Sequence, residues 1–255
     1  MDFIIKRYAG NTETVEYNAW APRYEQIRSE FGFPFEQEEA AAALLESLLP
    51  SDAPPDPIPR IRDRLEGREV VISGLAPSAG PPPLWRRPAG ARPSAIVAAD
   101  GATSACLAAG IVPSVIVTDL DGPIPSEIAA NRRGSLVVVH AHGDNLAALR
   151  EWVPQFPGEI VGSWAGPPRG PLLDVGGFTD GDRAAYLAAH VRASRILLWG
   201  FDFDHVEETD LNARARKLSK LGWARRLLAE LAALGPVPVL TWNADGSLTP
   251  YGPGR

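Results

Sequence analysis

From residue 69 onward, short runs of valine, isoleucine and leucine recur between helical or Gly/Pro-containing stretches. Polar residues do not alternate with apolar ones inside these runs, which is typical of strands covered by helices on both faces. The runs occupy residues 69–73, 94–98, 114–118, 135–139, 159–163, 195–199 and 237–241. The pattern therefore predicts an α/β fold with a parallel sheet and helices on both of its faces.

The stretches between these runs carry helical signals. We predict helices over residues 102–109, 145–152, 182–191 and 211–234. Gly110 and Pro113 stop the first of them. Residues 74–93 are rich in proline and glycine, and their length predicts a lid or a mobile loop rather than a simple connection.

The first 65 residues have a different character. They contain several aromatic residues, one strong helical segment from Glu36 to Leu49, and a proline-rich joint at residues 51–59. We therefore predict two domains, which are a small N-terminal helical subdomain over residues 1–65 and an α/β catalytic domain over residues 66–255.

Composition narrows the range of functions. The chain has 255 residues, of which 45% are hydrophobic and 22% are charged, so it can bury a substantial core. No apolar stretch reaches the roughly 18 residues of a membrane helix, and we expect a soluble, unexported, cytoplasmic protein. The net charge of −6 has the wrong sign for wide contact with a nucleic-acid backbone. Cys106 is the only cysteine, which excludes intrachain disulfides and cysteine-built zinc sites.

Acidic residues and a histidine, which can act as metal ligands or in acid–base catalysis, follow the predicted strands. Asp100, Asp119, His140 and Asp202 each lie at or just beyond a strand end. Ligands of open parallel sheets bind beyond the carboxyl ends of the strands, so these side chains are predicted to share one crevice. In TDLDG, residues 118–122, an acid-x-acid pair on an extended segment would point both carboxylates the same way and suit magnesium. The same pattern also occurs in simple turns.

Two further signals lie near these acids. Asp100 directly precedes a predicted helix, whose first N–H groups favour an anion such as phosphate. His140 and His142 lie two residues apart with no cysteine nearby, which is a poor zinc pattern. We expect His142, Asp144 or Asn145 to contact a ligand or to support one by hydrogen bonding. A purely structural role is equally compatible with His140.

A third string is GGFTDGDRAAYLA, residues 176–188. Thr179 and Asp182 have the spacing of a capping box, which is a structural role. Asp180 would nevertheless stand at the mouth of this helix, beside the same crevice. The string therefore predicts both a helix start and a side chain available for chemistry.

Positive charges cluster on the last predicted helix. Arg216 and Lys217 precede Lys220 by four and three residues, so the three share a face. Such a cluster is ordinarily a solvated surface, but the chain uses arginine almost everywhere else, which favours compact ammonium groups placed against phosphate. The sequence has no nucleophile elbow and no Walker-type phosphate loop. The pattern therefore indicates metal-bound phosphate chemistry.

Three strings together carry a resemblance to a known family: AADGATSACLAAGIVPSVIVTDLDG (98–122), HAHGDN (140–145) and GGFTDGDRA (176–184). They resemble the archaeal-type 6-hydroxymethyl-7,8-dihydropterin pyrophosphokinases, relatives of thiamine pyrophosphokinase. The resemblance covers the chain from about residue 69 to its end, and WAPRYEQIRSEFGF (20–33) also resembles this family. It implies a Rossmann-like parallel-sheet catalytic domain.

The resemblance also implies an activity and a site. The activity is Mg²⁺-dependent transfer of diphosphate from ATP to the hydroxymethyl group of the pterin, with release of AMP, in folate or tetrahydromethanopterin-type pterin biosynthesis. By motif match, Asp100, Asp119 and Asp121 would hold Mg²⁺, and Asp119, Asp121 and Asp180 would be catalytic. Asp121 or Asp180 could take the proton of the alcohol. Besides Asp100, the implied nucleotide site comprises Ser78, Gly101, His142, Asp144, Asn145, Thr179, Asp182, Arg183, Lys217 and Lys220.

The chain departs from the related patterns in places. The family's Gly-Pro-Ser-Leu turn after the first strand is Ala-Pro-Ser-Ala here, at residues 76–79. Thiamine enzymes prefer G-D-x-D-S, whereas Thr118 and Gly122 flank the acids here, which favours the pterin branch. Thiamine enzymes also append an all-β domain, and after Asp202 we predict only a long helix and one strand.

Two other functions stay open. One is a diphosphokinase for thiamine or another hydroxymethyl heterocycle, and the other is a non-catalytic nucleotide-binding domain. Trp85, Phe178 and Phe203 could stack on a flat heterocycle or could simply pack. A homo-oligomer is compatible with the sequence.

Overall fold

The protein is described here by a computed structural model that covers residues 17–76 and 94–252. The strands in these ranges are β1 (Glu69–Ser73), β2 (Ala95–Ala99), β3 (Val115–Thr118), β4 (Leu136–Ala141), β5 (Ile160–Trp164), β6 (Arg195–Trp199), β7 (Val239–Trp242) and β8 (Leu248–Pro250). They form one sheet in the order β5-β4-β3-β2-β1-β6-β7-β8. All neighbours are parallel except β7 and β8. The predicted α/β fold with a parallel sheet is therefore confirmed, except that β8 is antiparallel to its neighbour.

Helices cover both faces of this sheet. The helices of the described ranges are α1 (Tyr17–Phe31), α2 (Phe35–Leu48), α3 (Ile58–Leu65), α4 (Ala102–Ala108), α5 (Ile124–Arg132), α6 (Leu146–Trp152), α7 (Asp180–His190) and α8 (Leu211–Leu234). Helices α1, α3, α7 and α8 pack on one face, and α2, α4, α5 and α6 pack on the other. The predicted two-sided cover is confirmed.

The apolar runs serve both faces because successive strand residues point in opposite directions. Val70 and Ile72 of β1 face the core shared with α7, whereas Val71 faces the core shared with α4. Each of these side chains is fully buried, and such burial stabilises the fold by about 1.5–3 kcal/mol per large apolar side chain. A strand with polar residues at every second position could not do this.

Several elements differ from the sequence prediction. Helix α7 begins at Asp180 and not at residue 182, while α1, α3, α5 and β8 were not predicted. Helix α3 begins inside the predicted proline-rich joint, because proline fits the first turn of a helix, where its missing N–H leaves no bond unmade. Strand β8 corrects the expectation of one strand after Asp202, since it returns antiparallel to β7.

The N-terminal helices pack into the same cores as the strands. Trp20 of α1 and Ile61 of α3 are fully buried on the α7 face, and Leu45 of α2 is fully buried on the opposite face. The subdomain boundary at residue 65 stays a prediction. The predicted lid over residues 74–93 lies largely outside the described ranges. Within those ranges, no helix is both long enough and apolar enough to cross a membrane.

Candidate active site

Three aspartates meet beyond the carboxyl ends of β2 and β3. Asp100 follows β2, and Asp119 and Asp121 follow β3. Each offers a carboxylate oxygen, and these oxygens all lie within 4.8 Å of one another. Hard divalent cations such as Mg²⁺ prefer oxygen ligands of this type. The structure thus brings together the three residues that the resemblance implies as metal ligands.

The backbone at Leu120 brings Asp119 and Asp121 together. Leu120 has a φ of 68°, in the left-handed region that a leucine rarely adopts. Its N–H donates to Thr118 Oγ1 at 2.9 Å, and the Thr118 hydroxyl donates to Asp100 Oδ1 at 3.0 Å. The acid pair therefore lies on a bend, which corrects the expectation of an extended segment. Such backbone conformations cost of order 1–3 kcal/mol and tend to occur at functional sites.

Repulsion within the cluster supports a cation site. Burial raises the pKa of Asp121 to about 6, and the charges of Asp119 and Asp100 add to the rise. Asp180 lies close by, and burial followed by the charges of Asp119 and Asp100 raises its pKa well above the ordinary value. Like charges this close favour a bound cation, which would relieve the repulsion. The residues present fit a divalent metal ion.

His142 supports Asp119 from the loop after β4. Its Nε2 lies 3.3 Å from Asp119 Oδ2. Burial disfavours the charged form of Asp119, but the hydrogen bond and charge of His142, a hydrogen bond with Asp121 and the charge of Lys220 together lower the pKa of Asp119. Its neighbour His140 is buried with its Nδ1 3.1 Å from Ser163 Oγ, and burial lowers the pKa of His140 well below the usual value. Burial therefore favours the neutral form of His140.

Asn145 holds this loop in place. Its Nδ2 donates to the Asp119 carbonyl at 2.7 Å and to the His140 carbonyl at 2.8 Å. Its Oδ1 accepts the His142 N–H at 3.1 Å. The buried amide therefore connects the ends of β3 and β4, which is a supporting role. Asp144 is exposed beside it, and its N–H donates to His142 Nδ1 at 3.3 Å.

The start of α7 forms the opposite wall of the crevice. The Asp182 carboxylate accepts the N–H of Phe178 at 2.7 Å and the N–H of Thr179 at 2.8 Å. The Thr179 hydroxyl also donates to Asp182. The predicted capping box is confirmed, and the buried Asp182 carboxylate is occupied by this turn. Arg183 is buried with its Nη2 3.1 Å from the Phe178 carbonyl oxygen.

A cleft opens between this wall, α1, α2 and α8. Among the described residues, its lining comprises Tyr24, Phe33, Glu38, Asp119, His140, His142, Phe178, Asp180, Arg183 and Lys220. Lys220 counteracts the burial effect that raises the pKa of Asp121, so its ammonium group acts on the acid cluster. Lys217, one turn earlier on α8, is exposed. The cleft therefore combines acids, one lysine and aromatic walls.

Comparison with known proteins identifies the family. A family model described as "6-hydroxymethylpterin diphosphokinase MptE-like" matches residues 88–208. A protein of Methanothermobacter thermautotrophicus, named 6-hydroxymethyl-7,8-dihydropterin pyrophosphokinase, is 37% identical over 238 residues, which are 89% of this chain and 100% of that protein. The chain belongs to the MptE-like family. The predicted family resemblance is thereby confirmed.

Two further relatives in this family have the same name. The protein of Methanocaldococcus jannaschii is 34% identical over 84% of this chain and 95% of its own length. The protein of Pyrococcus furiosus is 35% identical over 90% of this chain and 100% of its own length. The region that matches the MptE-like model contains Asp100, Asp119, Asp121, His142 and Asp180.

The remaining residues that the sequence singled out do not all lie at the acid cluster. Gly101 lies at the start of α4, where a Cβ would come within 2.7 Å of Leu75 Cδ2. Ser78 and Trp85 lie outside the described ranges. Asp202 does not join the acid cluster: its carboxylate accepts the N–H groups of Asp204 and His205 in a local turn. Ligand contact by the predicted site residues stays a prediction.

Sequence reasoning missed two buried glutamates near this MptE-like site. Glu127 of α5 is 0% exposed, and burial, followed by the charge of Asp100, raises its pKa to about 9. Glu38 of α2 lines the cleft and is 2% exposed. A signal was present, because Glu38 precedes the buried residues Ala41 and Leu45 by three and seven positions, on the same helix face.

Proposed function

We propose that this protein transfers diphosphate from ATP to the hydroxymethyl group of 6-hydroxymethyl-7,8-dihydropterin and releases AMP, in an Mg²⁺-dependent reaction. The observation that carries the proposal is the convergence of Asp100, Asp119 and Asp121 on one point beside the cleft. The names of the three relatives support the pterin as acceptor. The intact acid cluster favours catalysis over simple nucleotide binding.

The three aspartates would hold the metal ion. Bound there, Mg²⁺ supplies positive charge that neutralises the phosphate oxygens and orients the triphosphate. The three aspartates contribute a fixed arrangement of ligands, because the Thr118 hydroxyl and the bend at Leu120 hold their carboxylates in place before any ligand binds. Such preorganisation avoids a rearrangement cost during the reaction.

The cleft residues would bring the alcohol and the phosphate together. The hydroxymethyl oxygen attacks the β-phosphorus, and the bond from that phosphorus to the oxygen bridging to the α-phosphorus breaks, so AMP leaves. Lys220 meets the phosphates, as the sequence predicts for Lys217 and Lys220. Asp121 or Asp180 takes the hydroxyl proton, and each lies within the acid cluster or beside it. Positioning of this kind accounts for much of the rate of phosphoryl-type transfer.

The test is an assay of the full-length protein with ATP, Mg²⁺ and one acceptor at a time. The acceptors are 6-hydroxymethyl-7,8-dihydropterin, thiamine and none, and AMP formation is followed by chromatography. We expect AMP and a pterin diphosphate in equal amounts with the pterin alone. Formation of AMP only with thiamine would instead favour the thiamine activity. If neither acceptor leads to AMP formation, a non-catalytic nucleotide-binding domain would be favoured.

A further inference from the structure

The carboxylate of Glu38 is buried at the side of the cleft. Glu38 Oε2 accepts the Tyr24 hydroxyl at 3.0 Å, and Oε1 accepts the Gly143 N–H at 3.2 Å. A carboxylate oxygen can accept two hydrogen bonds, so each oxygen retains one acceptor position. A buried carboxylate with spare acceptor capacity, fixed from both sides, is suited to a ligand that offers two adjacent N–H donors.

The walls beside Glu38 suit a flat ring. Phe33 and Phe178 line the same cleft, with their ring centroids 6.5 Å apart and their planes at 54°. Lys220 Nζ lies 6.0 Å from the centroid of the Phe178 ring, so this ring also orients the lysine. Cofactor and substrate sites commonly combine aromatic walls with a few polar groups that select one orientation.

One short loop connects Glu38 to the acid cluster. The N–H of Gly143 binds Glu38, and the side chain of the preceding residue, His142, binds Asp119. Gly143 also packs closely on α2, since a Cβ there would lie 2.8 Å from Cβ of Gln37. The loop therefore fixes the distance between Glu38 and the end of the cleft at which Asp119 lies.

We propose that Glu38 is the residue that selects the pterin, by accepting the N3–H and the 2-amino group of its aminopyrimidinone edge. The ring packs against Phe33 and Phe178, and its hydroxymethyl group points towards Asp119. This inference rests on the proposed function. Asp180, another carboxylate that lines the cleft, interacts with the charges of Asp119 and Asp100 and therefore belongs to the end of the cleft at the acid cluster.

Replacement of Glu38 by glutamine should change which ligand is preferred, and should not only weaken binding. In E38Q the amide oxygen can still accept N3–H, but the amide NH₂ opposes the 2-amino group. The lumazine analogue has an oxygen in place of the 2-amino group. Its N3–H can donate to the glutamine oxygen, and its 2-oxygen can accept from the glutamine NH₂. A hydrogen bond to a charged group is lost for the pterin, so we expect the preference for pterin over lumazine to fall about 10- to 100-fold in E38Q.

The measurement is direct binding of 6-hydroxymethyl-7,8-dihydropterin and of its lumazine analogue, by calorimetry, to wild type, E38Q and E39Q. Glu39 is the exposed neighbour on α2, and E39Q should retain the wild-type preference. Binding of a non-hydrolysable ATP analogue and circular dichroism report on the nucleotide site and the fold. An unchanged pterin preference in folded E38Q would overturn the proposal, because a bracing role for Glu38 alone predicts equal effects on both ligands.

Two controls keep the outcomes separate. If wild type forms no AMP with the pterin, the proposed function fails. If it does form AMP while E38Q keeps its preference, only the role of Glu38 fails. Should E38Q not fold, the wild-type crystal structure with bound pterin decides, since the aminopyrimidinone edge must lie within hydrogen-bond distance of Glu38. Its placement elsewhere would overturn the proposal.

Discussion

Gly122 packs its α-carbon directly against the carboxylate of Asp100. A Cβ built on Gly122 would lie 2.6 Å from both Cγ and Oδ1 of Asp100. Gly122 is not in the left-handed region, so space and not backbone conformation demands a glycine at this position. The absence of a side chain at Gly122 thus leaves space for the carboxylate of Asp100, which follows the neighbouring strand β2.

Replacement of Gly122 by alanine should therefore displace Asp100. We expect G122A to lose about tenfold or more in Mg²⁺ affinity, measured by calorimetry, while its circular dichroism spectrum is retained. The matched control is G222A, because Gly222 of α8 has nothing within 4 Å of a built Cβ. G222A should keep metal binding and gain about 0.5–1 kcal/mol in free energy of unfolding. Equal metal affinity in G122A and wild type would contradict this account.

Neutral isosteres of the cluster acids test the metal site. D119N and D121N each remove one negative charge with little change in volume, so we expect the fold to be kept. Turnover of ATP with the pterin should fall by about 100-fold or more, and Mn²⁺ binding seen by electron paramagnetic resonance should weaken. D63N is the control, since Asp63 is exposed on α3. Wild-type turnover in both variants would remove the aspartates from the mechanism.

His142 is expected to act as a positioning residue through Asp119. In H142Q the contact from Nε2 to Asp119 Oδ2 is lost or lengthened, while Asn145 still holds the loop. Supporting residues of this kind typically contribute 10- to 100-fold to metal affinity. We therefore expect a higher KM for Mg²⁺ that excess metal overcomes, with an unchanged melting temperature. A loss of turnover that excess metal does not restore would point to direct contact with substrate.

The two lysines of α8 should differ in their effects. Lys220 lines the cleft, whereas Lys217 is exposed one turn earlier. We expect K220A to raise the KM for ATP by about 10- to 100-fold and K217A to raise it less, because charge interactions weaken in solvent. R214A, at an exposed position on the same helix, should be unchanged in ATP kinetics. A larger effect in K217A than in K220A would show that the helix meets the phosphates differently.

Asp174 predicts a pH dependence of stability. Burial raises the pKa of Asp174 to about 7, and the Gly176 N–H and the charge of Arg183 only partly oppose the rise. The folded protein therefore binds this proton more tightly than the unfolded chain does, and the free energy of unfolding falls as pH rises from about 4 to about 7. The ceiling for this loss is about 4 kcal/mol.

D174N should remove that component. Between pH 5 and pH 8, urea unfolding should show a smaller loss of stability for D174N than for wild type, whatever the difference at pH 5. The neutral amide retains an oxygen for the Gly176 N–H, which Asp174 Oδ1 accepts at 3.0 Å. D63N, at an exposed position, should follow the wild-type slope. Parallel curves for D174N and wild type would show that Asp174 does not titrate in this range.

The acid cluster illustrates what could be predicted and what could not. Its members were predictable because each follows an apolar run, and parallel strands end at one edge of a sheet. The bend at Leu120 that brings Asp119 and Asp121 together was not predictable, because an unfavourable φ at a leucine is maintained by tertiary contacts and has no local sequence signal. Glu127 was missed for a similar reason, since a helix that begins Ile-Pro-Ser-Glu does not reveal which side faces the cluster.

The sequence by itself determined the parallel sheet, the helices on both of its faces, the cap of α7 and the family, because these depend on residue order and local spacing. Only the tertiary structure decided that Glu38, Phe33 and Lys220, which are remote in the chain, line one cleft beside Asp119. Helix α2 lies against β4 and β5 through burial of Ala41 and Leu45, and that packing carries Glu38 to the loop at Gly143. Burial energy depends on the whole assembled surface, so this placement could not follow from any local pattern.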